Sequence, residues 1–326
     1  MRIHIQNPPD PSRFDISPDI WQAAVARSPD IGAGHDVSFA SSLDGFVAAA
    51  RDAEAIISPV SEIHGRFPID APALRLIFCL SAGLDRLAPF DWLPEGVALL
   101  NNRGAHSAKA GEYAIMALLM LANNMPALIT AQHEQRWEKM FASILRGRRL
   151  TVIGLGGLGG AAVAQAARFG LEITGVRTHA TPYEGCARVV TSAQLDSVLP
   201  TTEFLLLACP LTPATHHLLD RRRLALLPAG AAVINIGRGA LIEQNAICDS
   251  LDSGHLSGAV LDVFTPEPVP AGHRLWTTKN LIMTPHCSAD DPATYNPISL
   301  DIFFANLRAF RDGQTLPNRV LPDRGY

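Results

Sequence analysis

One stretch, Leu150–Gly160 (LTVIGLGGLGG), limits what this chain can fold into more than any other. An apolar run from Leu150 to Ile153 stops at glycines 154, 156, 157, 159 and 160, and an alanine-rich segment, Ala161–Phe169, follows at once. That order predicts a buried strand, a tight turn and a helix whose N-terminus is stripped of side chains. In the G-x-G-x-x-G register Gly154 makes the turn and Gly156 lets a diphosphate approach the main chain. Gly159 lets the helix pack close to the strand. Unpaired N–H groups and the helix dipole then attract the phosphates, so Gly154, Gly156, Gly157, Leu158 and Gly159 form the candidate dinucleotide seat.

At 326 residues the chain exceeds what one hydrophobic core usually serves, and two domains are expected. A net charge of −4 gives no basic surface, which argues against nucleic acid as a partner. The five cysteines are scattered singly with no metal-ligand spacing, so no metal site is expected and the thiols suit a reducing cytoplasm. The N-terminal MRIHIQNPPDPSRFD lacks the apolar centre of a signal peptide. The longest apolar stretch, Ala114–Ala122, is far short of the ~20 residues a membrane helix needs. A soluble, cytoplasmic protein is the expectation.

Along the chain, residues 1–103 read as a small α/β unit with strands at Arg2–Gln6, Asp36–Ala40, Ala55–Ser58, Leu74–Leu80 and Val97–Asn101, a parallel sheet under helices. The turn Ser81–Asp85 (SAGLD) leaves N–H groups open, a usable seat for an anion or a plain loop. A connector follows: Ala108–Asn123 is apolar nearly all round, apart from Lys109 and Glu112, and predicts a helix buried between domains or against a second subunit, the oligomer contact being favoured. Pro126 interrupts it, and Ala127–Trp137 predicts a second helix. Strands at 150–154, 172–177, 203–208, 231–236, 257–262 and 280–284 alternate with helices near 158, 192, 221 and 243. The long helical segment Pro292–Asp312 can carry the chain back onto the first unit. The expected layout is therefore a substrate-binding domain of 1–103 plus 290–326 and a dinucleotide-binding domain of 104–289.

In a dinucleotide fold an acidic residue about 20 positions past the glycines takes the ribose 2′-hydroxyl. Here the strand EITGV ends in Arg177, Thr178 and His179, without a carboxylate. A guanidinium can grip a 2′-phosphate that a carboxylate would repel, so NADP(H) is the preferred cofactor and NAD(H) the alternative. Three polar groups follow strands of the second unit, where ligands gather in open α/β sheets: Arg238 in VINIGRGAL, Glu267 in LDVFTPEPVP and His286 in LIMTPHCSA. Hydride transfer to a ketone needs a proton donor, which histidine supplies. A keto acid needs a cation for its carboxylate and carbonyl, which suits arginine. A carboxylate beside the histidine would fix its tautomer. Taken singly, each could instead be an ordinary loop or surface residue.

The ordered set GLGGLG, PLTPATHHLL (210–219), INIGRGALI (234–242), LDVFTPEPVP and TPHCSA resembles the D-isomer-specific 2-hydroxyacid dehydrogenase family from about Leu93 to Arg319. The N-terminal hundred residues match weakly, mainly at SAGLD and at NNRGAHSAKAGEYA (101–114). The resemblance implies Arg238 as the substrate-binding arginine, Glu267 as the histidine's partner and His286 as the acid/base. It implies that Ser81, Ala82 and Gly83 hold the substrate carboxylate through main-chain N–H groups. Cys209, Pro210, Leu211 and Thr215 would lie along the adenosine; Ile236, Gly237 and Asp262 would flank the nicotinamide, with Asp262 meeting its carboxamide. It further implies an α/β fold of two doubly wound parallel-sheet domains, Rossmann-like and flavodoxin-like, with the active site between them and a homodimer as the usual assembly. His106 and Lys109 fall near positions that border the cofactor in relatives and receive no task.

NAD-dependent members commonly carry aspartate where Arg177 stands, which agrees with NADP(H). That arginine and HRLWTTKN (273–280) are most similar to the glyoxylate/hydroxypyruvate reductase branch. The strand before SAGLD has no lysine of the sort that phosphite-oxidising relatives use. The expected activity is reduction of a small 2-keto acid to the (R)-2-hydroxy acid. The alternatives are a dinucleotide-sensing, corepressor-like module on the same fold and NAD-dependent oxidation of a hydroxy acid. Ser58–Glu62, Trp276 and Tyr295 are the candidates for choosing the substrate.

Overall fold

The computed structural model describes residues 1–321; residues 322–326, counted with the substrate-binding domain above, lie outside the described residues. The chain divides into two units, Met1–Ala105 with Asp291–Tyr326, and His106–Asp290.

The first unit alternates β1 (Arg2–Gln6), α1 (Pro18–Arg27), α2 (Pro29–Gly32), β2 (Asp36–Ala40), α3 (Leu43–Ala50), β3 (Ala55–Ser58), α4 (Val60–Ile63), β4 (Leu76–Cys79) and β5 (Ala98–Leu100). Its five strands are parallel in the order β2-β1-β3-β4-β5. The central strands AIIS and LIFC are buried on both faces, as expected of a sheet with helices on either side.

The second unit begins with α5 (Ser107–Ala122), α6 (Met125–His133), β6 (Arg149–Ile153), α7 (Gly157–Arg168), β7 (Glu172–Arg177) and β8 (Arg188–Thr191). It continues through α8 (Leu195–Val198), β9 (Phe204–Leu207), α9 (Arg221–Leu226), β10 (Ala231–Asn235), α10 (Gln244–Asp252), β11 (Leu256–Leu261) and β12 (Leu281–Met283). Seven parallel strands lie in the order β12-β11-β10-β9-β6-β7-β8. The strand order reverses at β6, between β7 and β9, so the crevice for a ligand opens beyond the C-terminal ends of β6 and β9. A last helix, α11 (Tyr295–Arg311), returns to the first unit, where Phe303 and Phe304 pack on Trp21 and Phe303 on Phe78.

Three local expectations need correction. Strand β8 was not anticipated, because RVVT is short, carries no clear alternation and pairs with β7 alone at the sheet edge. Pro126 does not separate two helices; it sits in the first turn of α6, where its missing N–H costs nothing. That helix stops at His133, before Trp137, with Gln135 in the left-handed region (φ 56°) just beyond its end. Helix α5 buries Ala110, Ala114, Ala117, Leu118 and Leu121 within this chain and leaves Met116 and Leu119 exposed. Among the described residues no single helix is long and apolar enough to cross a membrane.

Candidate active site

The glycine turn is dictated by close approach. Gly154 has φ +92°, donates its N–H to the Val176 carbonyl at 2.8 Å, and lies where a Cβ would come within 2.7 Å of the Cys209 main chain. A Cβ on Gly159 would stand 1.8 Å from the Gly154 carbonyl oxygen, so only hydrogen fits between strand and helix. Gly156 is the opposite case: it is exposed, and a Cβ there would meet nothing within 4 Å. It caps α7 without a side-chain hydrogen bond, so the Gly157 and Leu158 N–H groups of the first turn have no side-chain cap. A cradle open at Gly156 and closed at Gly159 fits the diphosphate of a nicotinamide dinucleotide.

Arg177 closes β7 and is half-buried, and its side chain makes no hydrogen bond or ion pair among the described residues; Thr178 beside it is exposed. Cys209 is buried beside the turn, and burial pushes its thiol up to about 12. The following loop, Pro210 and Leu211, is closed by Thr215, whose hydroxyl donates to the Pro210 carbonyl at 2.8 Å and accepts the Thr212 N–H at 2.7 Å.

At the end of β10, the buried Asn235 side chain shapes the turn that presents Arg238. Its Oδ1 accepts the Gly237 N–H at 3.1 Å and its Nδ2 donates to the Arg238 carbonyl at 2.9 Å. Ile236 is buried, while the half-buried Arg238 guanidinium donates to the Gly237 carbonyl at 2.9 Å. Gly239 presses on the next loop so closely that a Cβ would sit 2.1 Å from the Phe264 carbonyl carbon. Glu267 grips the same Phe264: its Oε1 accepts the Phe264 N–H at 2.8 Å, and its Oε2 lies 2.8 Å from His286 Nδ1. Glu267 is 24% exposed and His286 49%, so the pair has one side packed and the imidazole face open.

His286 itself has φ +52°, an uncommon conformation for a residue with a Cβ. Its loop is held there by Asp262, which is 1% exposed. The Asp262 carboxylate accepts the Thr284 hydroxyl at 2.6 Å and the N–H groups of Cys287 (2.9 Å) and Ser288 (3.1 Å), while its carbonyl accepts the His286 N–H at 2.8 Å. Tyr113 adds a bond of 2.6 Å to the Thr284 hydroxyl oxygen; burial pushes its phenol up to about 12, so it stays a donor. Strands β10, β11 and β12 are neighbours, and the loops after them bring Arg238, Glu267 and His286 to one end of the second sheet.

Within the first unit, Ser81, Ala82 and Gly83 follow β4 and are half-buried. The carbonyls of Ser81 and Ala82 accept from Asn102 N–H and Asn101 Nδ2, both at 3.0 Å, whereas the Ala82 and Gly83 N–H groups meet no acceptor among the described residues. Tyr295 is buried, and its hydroxyl donates to the Leu80 carbonyl at 2.6 Å.

Sequence reasoning missed the residues that hold the site in shape: Asn235, Tyr113 and Thr284, and Gln244, which bonds both main-chain groups of Thr265. Asn235 had a readable signal, being the one polar residue ending the apolar run AAVIN. The others act through partners far away in the chain.

Residues 115–288 match the NAD-binding domain of the D-isomer specific 2-hydroxyacid dehydrogenases. The chain is 30% identical to glyoxylate/hydroxypyruvate reductase B of Pectobacterium atrosepticum over 293 residues, covering 86% of this chain and 90% of that one. It is 29% identical to a glyoxylate/hydroxypyruvate reductase of Arabidopsis thaliana over 275 residues, 80% of this chain and 82% of that one. Its fold is similar to a D-isomer specific 2-hydroxyacid dehydrogenase from Xanthobacter autotrophicus Py2 crystallised with NADPH and MES, with a TM-score of 0.84, 31% identity and 99% of both chains covered. The chain therefore belongs to the D-isomer specific 2-hydroxyacid dehydrogenase family, as an oxidoreductase that uses a nicotinamide dinucleotide.

Proposed function

We propose that this enzyme reduces a small 2-keto acid of the glyoxylate or hydroxypyruvate kind to its (R)-2-hydroxy acid, with NADPH as the preferred cofactor. The main support is the 2.8 Å pairing of His286 with Glu267 on the loop that Gly239, next to Arg238, packs against. When bound, the nicotinamide supplies the hydride that reaches the carbonyl carbon. His286, with Nδ1 turned to Glu267, holds on Nε2 the proton that the substrate oxygen takes up. Glu267 orients the ring and balances its positive charge, and Arg238 binds the carboxylate and polarises the carbonyl. The open N–H groups of Ala82 and Gly83 are assigned to a substrate carboxylate.

Gly154–Gly159 would hold the diphosphate, Cys209–Leu211 and Thr215 the adenosine, and Ile236, Gly237 and Asp262 the nicotinamide. The half-buried Arg177, whose side chain is unpaired among the described residues, supports a 2′-phosphate contact, and the Xanthobacter relative was crystallised with NADPH. Exposed Met116, Leu119, Trp137 and Phe141 favour a homodimer through α5 and the segment after α6. The test is the loss of NADPH or NADH absorbance with glyoxylate and hydroxypyruvate, in the wild type and in Arg177→Asp. Higher kcat/KM with NADPH is expected, with a loss of about 10–100-fold in that preference on removing the arginine. Absence of turnover with any keto acid would leave a dinucleotide-binding module instead.

A further inference from the structure

Three consecutive peptide groups after β4 have their carbonyls clasped, each from a different place in the first unit. The Leu80 carbonyl accepts the Tyr295 hydroxyl at 2.6 Å, the Ser81 carbonyl accepts the Asn102 N–H at 3.0 Å, and the Ala82 carbonyl accepts Asn101 Nδ2 at 3.0 Å. A trans peptide is planar, so the N–H that follows each carbonyl points the opposite way. Fixing the carbonyls of 80, 81 and 82 therefore turns the N–H groups of Ser81, Ala82 and Gly83 to the other side of the loop. None of the three meets an acceptor among the described residues, and all three residues are half-buried, so the row is open to an anion.

The middle clasp is main chain to main chain, whereas the two outer ones are side chains, and both side chains are locked. Tyr295 opens α11 and is buried, its ring standing edge-on to Phe14 at 5.1 Å. Asn101 is also buried, and its Oδ1 accepts the Arg103 N–H at 3.3 Å and lies 3.5 Å from Asn318 Nδ2. With donors on that side the amide has one orientation, which leaves Nδ2 for Ala82. Asn318 is held in turn by two bonds of 3.0 Å to the buried Asn306 of α11. Asn102 joins the same helix, its Nδ2 donating to Ser299 Oγ at 2.7 Å. Helix α11 and the segment after it thus grip the loop at both ends, and the proposed hydride and proton transfers use none of these buried groups.

We infer that Tyr295 and Asn101 are positioning residues for the substrate carboxylate, acting through the peptide groups that they clasp. The inference rests on the assignment of this row of N–H groups to that carboxylate. A peptide group that loses its side-chain clasp is free to rotate, and its N–H then leaves the anion. The carboxylate is bound alike before and during hydride transfer, so the loss raises KM and spares kcat.

The test uses the whole enzyme: steady-state kinetics with NADPH and glyoxylate, and calorimetry of oxamate binding to the NADPH complex, which reads no turnover. Tyr295→Phe removes one hydroxyl and keeps the ring. It is expected to raise the glyoxylate KM and the oxamate Kd about 10-fold each, the scale of one N–H bond to a carboxylate, with kcat and NADPH affinity held within about twofold. Asn101→Ser, whose side chain is too short to reach the Ala82 carbonyl, should do the same. Phe304→Leu, in the core of the same unit against Trp21, should lower Tm and leave both constants alone. Unchanged KM and Kd in a folded Tyr295→Phe protein would overturn the role. So would an equal rise in Phe304→Leu, which would mark a general loosening, or a fall in kcat or NADPH affinity as large as the rise in KM. A wild type that reduced no keto acid would defeat the proposed activity by itself. Oxamate would then still decide the clasp, which stands if Tyr295→Phe weakens its binding and falls if that binding is unchanged or absent from the wild type.

Discussion

Ser288 donates its main-chain N–H to both carboxylate oxygens of Asp262, at 3.1 Å each, although 26 residues separate them. With Cys287 N–H and the Thr284 hydroxyl on the same carboxylate, this buried acid is the mould for the loop that carries His286. Asp262→Asn puts an amide donor against N–H donors. It is expected to cost about 3 kcal/mol of stability and about 100-fold in turnover through misplacement of His286. Chemical denaturation and steady-state kinetics measure the two. Full activity in a stable variant would remove Asp262 from this role.

His286→Ala should retain NADPH binding while turnover falls ~10²–10⁴-fold, the usual size of acid catalysis. Glu267→Gln should fall between that variant and wild type. A glutamine can still accept from Phe264, but its amide would donate to Nδ1 and oppose the charged ring. Single-turnover rates in both variants, with NADPH affinity measured separately, check the order; a glutamine variant at the wild-type rate would contradict it.

The glycines should respond in opposite ways. Gly159→Ala has no room beside the Gly154 carbonyl and is expected to lower Tm and abolish dinucleotide binding together. Gly156→Ala meets nothing in the protein, so Tm should hold while NADPH affinity drops as the methyl group enters the diphosphate path. Thermal melts with and without NADPH distinguish them. A Gly156→Ala protein that binds normally would mean that the diphosphate lies elsewhere.

Alkaline pH should unfold the protein earlier than its acidic groups suggest. Burial pushes the thiols of Cys79 and Cys209 and the phenol of Tyr113 up to about 12. These groups ionise more readily in the unfolded chain, so their stabilisation is complete below the unfolded values, about 8.5 for a thiol and 10 for a phenol. It is lost as pH rises from there through the folded values. Tm measured from pH 8 to 11 should therefore fall increasingly steeply, with a shallower slope in Cys79→Ala. A flat profile would exclude this coupling.

Local patterning accounts for the parts that could be read directly. Apolar runs such as FLLL and AAVIN mark strands because both faces of a parallel sheet are buried. Gly154 and Gly159 mark the turn because only glycine satisfies its dihedral and its closest contact. The residue types Arg238, Glu267 and His286 announce their chemistry wherever they lie. Edge strand β8 escaped notice because pairing with one neighbour imposes no pattern of its own. Which side of α5 stays exposed is not legible either, because an apolar segment does not say which of its faces meets the rest of its own chain.

The sequence by itself determined most of the strands and helices, the glycine turn and the candidates for the reactive groups, since each follows from neighbours within a few residues. Only the tertiary structure decided that Asp262 moulds the His286 loop and that Gly239 must clear Phe264. Those relations join residues about 25 positions apart. They are set by parallel crossovers and helix packing, which leave no periodic trace along the chain.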